Sequence, residues 1–145
     1  QLKWDVPGRF QILQEKPYLL IDDSYNANPS SFEASLEMIS SLYPHRRRIM
    51  VAGVMAELGN QRCKLHQQMG IQFQQHVSYL FLAEGEGSQS YEEGWLEAGG
   101  SRSTVFHEKT AEALCFQLRG ILQEGDVVLI KGSRSSHMEE VVQKL

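Results

Sequence analysis

Short apolar runs alternate with amphipathic stretches along most of this chain, and that alternation leaves few folds open. Phe10–Leu13 and Tyr18–Ile21 look like short strands separated by a turn around Lys16-Pro17. Ile49–Val54, Tyr79–Ala83 and Val127–Ile130 are near-continuous apolar runs, as in strands covered on both faces. A weaker strand is expected at Ser103–Phe106. Between the runs lie helical patterns. Phe32, Leu36, Ile39 and Tyr43 share one face, with Asn28 placed to cap, Pro29 in the first turn and Pro44 near the end. Leu65, Met69 and Phe73 mark a second helix, and Ala111, Leu114, Leu118 and Ile121 a third. A last helix is expected to open on Ser136 and Glu139, at capping-box spacing, and to bury Met138, Val141 and Val142. Strand–helix alternation specifies an α/β domain with a mainly parallel sheet. The first two runs are joined too closely for a helical crossover, so one of them is expected to be an antiparallel edge strand.

The chain's 145 residues make about one domain, and 41% hydrophobic content is enough for a core. Fourteen Lys and Arg against 18 Asp and Glu give a net charge of −4, which argues against a duplex nucleic-acid binder. No apolar run approaches the roughly 20 residues of a membrane span. Gln1-Leu2-Lys3-Trp4-Asp5 has neither an initiator Met nor a signal-peptide shape, and is read as a cut within a longer protein. Cys63 and Cys115 form no Cys-x-x-Cys pair and read as reduced helix cysteines of a cytoplasmic protein. His66 and His76 would not share a helix face, so no histidine metal site is expected.

In sheets of this kind ligands sit beyond the carboxyl ends of the strands. That rule selects Asp22–Pro29, Gly53–Gly59, Glu84–Gly87 and Lys131–Ser136. No phosphate-binding P-loop and no Gly-x-Ser-x-Gly elbow occurs. Gly85-Glu86-Gly87 starts like a dinucleotide fingerprint, but position 90 is Ser and the flanking glutamates would repel a pyrophosphate. Asp22–Pro29 offers carboxylates for ribose hydroxyls or a cation's water shell, and Tyr25, Asn26 and Asn28 to bracket a base or substrate. Plain helix capping by Asn28 is the structural alternative. Lys131-Gly132-Ser133-Arg134-Ser135-Ser136 combines two cations, a glycine and an expected helix start, the elements of a carboxylate or phosphate site. A capped helix with exposed bases is the alternative there. Glu57 is a lone carboxylate in a turn bounded by Gly53 and Gly59. His45 and Arg46–Arg48 read as a solvated, charged approach to a buried strand. The paired aspartates also suggest a phospho-receiver, but the strand that should end in its acceptor Asp ends in Gly53-Val54. Gly85–Ser103, with five of the 12 glycines, is expected to be a surface excursion around a short helix at Tyr91–Ala98.

Gly8-Arg9, Asp22–Pro29, Met55–Gly59 and Lys131–Arg134, in that order and spacing, resemble the Mur ligases of bacterial cell-wall synthesis over nearly the whole chain. The resemblance implies a Rossmann-like three-layer sandwich whose mainly parallel sheet has about six strands and one antiparallel edge strand. Residues 1–145 would be the C-terminal lid of a cytoplasmic bacterial ligase, its UDP-sugar domain and P-loop ATPase domain absent from this chain. ATP and Mg would be held mainly by the ATPase domain. ATP would phosphorylate a peptide carboxylate and an amine would attack the acyl phosphate, a step governed by positioning and water exclusion. Asp-Asp-Ser-Tyr-Asn-Ala-Asn together with Lys-Gly-Ser-Arg resembles the member that joins D-alanyl-D-alanine to UDP-N-acetylmuramoyl-tripeptide. By the same resemblance Arg9 and Asp23 match positions that meet ATP when the lid closes, and Tyr25, Asn26 and Asn28 line the same turn, facing nucleotide or acceptor. Lys131, Ser133, Arg134 and Glu57 are expected on the acceptor side, Lys131 and Arg134 competing between the dipeptide carboxylate and ATP phosphate. No residue of this domain alone is expected to be catalytic or to bind metal, and the isolated domain is expected to be inactive. A non-catalytic nucleotide- or peptide-binding module is the other reading. The chain departs from the family at Val54, usually acidic, and over Glu84–Gly100.

Overall fold

The computed structural model describes residues 6–145, and the expected cut at Gln1–Asp5 lies outside them. The strands are β1 (Gln11–Gln14), β2 (Leu19–Asp23), β3 (Arg48–Ala52), β4 (Tyr79–Ala83), β5 (Val105–Glu108) and β6 (Val127–Lys131). The helices are α1 (Pro29–Leu42), α2 (Arg62–His76), α3 (Ser88–Glu97), α4 (Ala111–Ile121) and α5 (Glu139–Lys144). One sheet runs β1-β2-β6-β3-β4-β5, with β1 antiparallel to β2 and the other pairs parallel. The expected fold class is borne out. Phe32, Leu36 and Ile39 of α1 pack with Met69 and Phe73 of α2 and with Tyr91 and Trp95 of α3 on one face of the sheet. Leu114 and Leu118 of α4 and Val141 of α5 cover the other. The chain therefore advances along one face from β2 to β5, then returns over the opposite face through α4 to place β6 between β2 and β3. That reversal puts a crevice at the carboxyl ends of the central strands. No helix among the described residues is long and apolar enough to cross a membrane.

Four expectations need correction. The strand expected at Tyr18–Ile21 extends through Asp23, so Asp22 and Asp23 are strand residues, both buried, rather than turn residues. Ser136 and Glu139 form no capping box. A single 3₁₀ turn, Arg134–Ser136, comes first, His137 takes a left-handed φ of 54°, and α5 starts only at Glu139 without a side-chain cap. Gly85–Ser103 is no surface excursion, since Tyr91 and Trp95 of α3 are core residues. Arg46–Arg48 are not a solvated approach. Arg47 forks onto Asp126 (Nε–Oδ1 2.9 Å, Nη2–Oδ2 2.6 Å), while Arg46 and Arg48 donate to the carbonyls of Gly125 and His76. Three arginines thus fasten the amino-terminal edge of the sheet, opposite the crevice.

Helices α2 and α3 touch backbone to backbone because each has a glycine at the crossing. A Cβ on Gly94 would lie 1.9 Å from the Gln67 carbonyl oxygen, and one on Gly70 would lie 2.0 Å from that of Tyr91. Rigid backbone cannot yield to such an atom. Gly120 of α4 has open space around its Cβ position. Gly94→Ala should therefore lower unfolding free energy by about 1–3 kcal/mol in urea titration, whereas Gly120→Ala should raise it by about 0.4–1 kcal/mol.

Candidate functional site

Lys131 ends β6 and Asp23 ends β2, and the parallel register sets them side by side. Lys131 Nζ lies 3.0 Å from Asp23 Oδ2 and donates to the Asn26 carbonyl at 3.0 Å. Asp23 also accepts the Phe10 N–H on Oδ1 at 2.9 Å and the Ser35 hydroxyl on Oδ2 at 2.5 Å. The two residues are 3% and 7% exposed. Burying an ion pair is favourable only when such further hydrogen bonds complete it. Together they join the segment before β1, the turn after β2, helix α1 and strand β6 at one point. Asp23, expected on the ATP side, and Lys131, expected on the acceptor side, are thus engaged with each other.

The exposed groups stand around this buried pair. Tyr25 is held by its N–H to the Gly8 carbonyl at 2.8 Å. The Arg9 guanidinium sits 4.1 Å from the centre of its ring and that of Arg134 sits 5.3 Å from it. Both arginines are exposed and neither has an acidic partner among the described residues. The aromatic quadrupole lets the two cations gather on one ring. Two open depressions adjoin the ring. One, of about 610 Å³, is lined by Gly8, Asp22, Tyr25 and Arg134; the other, of about 410 Å³, by Arg9, Asp23, Asn26 and Lys131. Arg9, assigned to ATP, and Arg134, assigned to the acceptor, therefore share one aromatic ring.

The remaining site candidates divide. Asn28 caps α1 through a capping box, its Oδ1 accepting the Ser31 N–H at 2.9 Å. Asn26 is exposed, with its Oδ1 turned to the Ala27 N–H. Asp22 accepts the N–H and hydroxyl of Ser24. Ser133 is buried, its N–H donating to the Val54 carbonyl at 2.9 Å. Glu57 is exposed, with a left-handed φ of 60° that is uncommon for a residue other than glycine. No α-helix start backs Lys131–Ser136, because a single 3₁₀ turn comes first and α5 begins later, its first turn carrying Glu139 and Glu140. Gly132 supplies close approach, but to Gly53: a Cβ on it would lie 2.8 Å from Gly53 Cα.

Two residues that the sequence does not mark as part of the site support it. His66 Nε2 accepts the Met55 N–H at 2.9 Å, and Tyr91 Oη donates to the Gly53 carbonyl at 2.9 Å. Both hold the turn that carries Glu57. Their signal was the glycines of two consecutive helices, which bring α2 and α3 together under that turn. Burial pushes the His66 pKa below its ordinary 6.5, outweighing the hydrogen bond to the Arg62 carbonyl, which raises it; the Arg62 charge lowers it further. The unfolded chain therefore takes up this proton more readily than the folded one. The neutral ring's contribution to stability is complete above pH 6.5 and lost as pH falls through the lowered folded value. Urea titrations at pH 7.5 and 5.5 should show a smaller acid loss for His66→Gln than for the parent. Asp23→Ala, which strands the Lys131 ammonium, should cost about 3–5 kcal/mol at neutral pH.

Residues 8–134 match the family described as Mur ligase, glutamate ligase domain. The chain is 36% identical over 143 residues to the UDP-N-acetylmuramoyl-tripeptide–D-alanyl-D-alanine ligase of Escherichia coli, covering 97% of this chain and 30% of that protein. It is 28% identical over 126 residues to the Bacillus subtilis ligase of the same name, covering 87% and 27%. The crystal structure of the MurF ligase of Thermotoga maritima in complex with ADP superposes with a TM-score of 0.79 at 29% identity, over 97% of this chain and 30% of that one. The chain thus spans under a third of the length of these relatives. With its motifs, its strand order and the match over residues 8–134 in agreement, the chain belongs to the Mur ligase family as its glutamate ligase domain.

Proposed function

We propose that this chain is the lid of an ATP-dependent ligase that joins D-alanyl-D-alanine to UDP-N-acetylmuramoyl-tripeptide in bacterial peptidoglycan precursor synthesis. The observation that carries the proposal is the gathering of Arg9 and Arg134 on the Tyr25 ring at the strand ends. An exposed aromatic with two cations suits a ligand that is both planar and anionic, or two anionic ligands held side by side. A nucleotide and a dipeptide carboxylate meet that description.

In this reading Arg9 and Tyr25 take the nucleotide side, with Asn26 at its edge. Arg134 takes the dipeptide carboxylate, since a guanidinium can grip it with two parallel hydrogen bonds. Lys131, Asp23, Ser133 and Asn28 stand behind them and hold the turns in place. Glu57, exposed at a left-handed φ of 60°, is read on the acceptor side. ATP and its Mg²⁺ are held mainly by an ATPase domain. Among the described residues no three His, Cys, Asp or Glu side chains converge into a metal site. The lid's work is to hold the attacking amine in line and to keep water from the activated carboxyl.

The isolated 145-residue chain should release no phosphate above background when given ATP, the UDP-tripeptide and D-alanyl-D-alanine. In the full-length ligase, Arg134→Ala removes a charge-assisted contact of about 1.5–3 kcal/mol, so the dipeptide's KM should rise about 10- to 150-fold. Steady-state kinetics varying each substrate in turn reads this. A defect confined to ATP, with dipeptide kinetics intact, would move Arg134 to the nucleotide.

A further inference from the structure

Three consecutive residues after β3 have their backbone claimed from three directions. Gly53 N–H donates to the Lys131 carbonyl at 2.8 Å and Val54 O accepts the Ser133 N–H at 2.9 Å, both toward the turn that carries Arg134. From the opposite side Gly53 O accepts the Tyr91 hydroxyl at 2.9 Å, and Met55 N–H donates to His66 Nε2 at 2.9 Å. The segment is thus a splice between helices α2 and α3 and the exposed arginine.

The chemistry of His66 is fixed by its partners. Met55 brings a donor, so Nε2 must present its lone pair. Nδ1 must then carry the proton, which it donates to the Arg62 carbonyl at 2.7 Å. The ring is fully buried and tilted against Tyr91, with centroids 4.6 Å apart. Gly87, at the start of α3, closes its other side, and a Cβ there would come within 2.7 Å of the imidazole. Nothing in this packing leaves the ring another orientation.

We infer that His66 and Tyr91 are positioning residues, which set the Ser133–Arg134 turn through the backbone of Gly53–Met55. Neither side chain reaches the exposed surface around Tyr25. The effect of His66 passes through Met55 and that of Tyr91 through Gly53, and both reach the Ser133 N–H by way of Val54 O. Gly53 and Gly132 make the transfer stiff, because both lie against Ser136 and Met138 with no room for a Cβ. The kinetic consequence rests on the lid reading given above, whereas the structural one stands without it.

Amide hydrogen exchange on the 145-residue chain tests the structural part. In His66→Leu the Met55 and Ser133 amides should both exchange about tenfold faster or more, while the mid-strand amides of Val51 and Leu129 stay unchanged. His66→Gln, whose carboxamide oxygen reaches the Nε2 position, should restore both. Faster exchange at Met55 alone would overturn the inference, since it would make His66 a local support only. If His66→Leu fails to fold, Tyr91→Phe removes a single hydroxyl and should speed exchange at Ser133 by itself; an unchanged Ser133 there overturns the inference equally. In the full-length ligase, His66→Leu and Tyr91→Phe should raise the dipeptide's KM severalfold without changing that of the UDP-tripeptide, with rescue by His66→Gln. Unchanged dipeptide kinetics alongside faster Ser133 exchange would refute the lid reading of Arg134 and leave the mechanical link standing.

Discussion

A lysine ammonium at the carboxyl end of the central strand organises this domain's functional edge. Lys131 is 3% exposed, deep enough that its charge would be costly without compensation. Asp23 supplies the opposite charge, and Asn26, Ser35 and Phe10 complete the polar set around the two. Each of those partners belongs to a different piece of chain. The electrostatic requirement of one side chain therefore fixes the positions of four segments, and Arg9, Tyr25 and Asn26 are displayed from them. The charged pair supports the surface from behind and lines the floor of the depression beside Arg9 and Asn26.

Topology creates the need for this foundation. Because β6 returns from the far end of the sheet to lie between β2 and β3, the turns after three strands converge on one crevice. Converging turns bring many backbone polar groups into a small volume. The fold satisfies them with neighbouring backbone and with buried side chains of α2 and α3. At the opposite edge Arg47 and Asp126 do comparable work, so both ends of the sheet are tied by ion pairs and the middle by Val, Leu and Ile.

The period of the apolar residues made the layers legible. Runs such as Val127–Ile130 are too uniformly apolar for a half-exposed strand, and α1 shows its buried face in Phe32, Leu36 and Ile39. The motifs likewise mark the turns that the strand order gathers at the crevice. Side-chain direction was not legible. Lys131 looks like a free cation in a glycine- and serine-rich turn, and only the register with β2 shows that it faces Asp23. The Ser136–Glu139 spacing suggests a helix start, but a 3₁₀ turn over Arg134–Ser136 and a left-handed His137 come first. His66 and Tyr91 lie 25 positions apart on separate helices, and no local pattern joins them. What brings them together is the glycine-mediated crossing of α2 and α3.

The central claim is that Arg9, Tyr25 and Arg134 form the ligand-facing surface while Lys131 and Asp23 support it from behind. Chemical-shift mapping of the isotope-labelled chain titrated with ADP to millimolar concentration tests it most directly. The account predicts that ADP shifts Arg9, Tyr25 and Asn26, with the Lys131 ammonium and the mid-strand amides unmoved. Shifts centred instead on the separate depression at Lys109–Glu112, beside the start of α4, would contradict it.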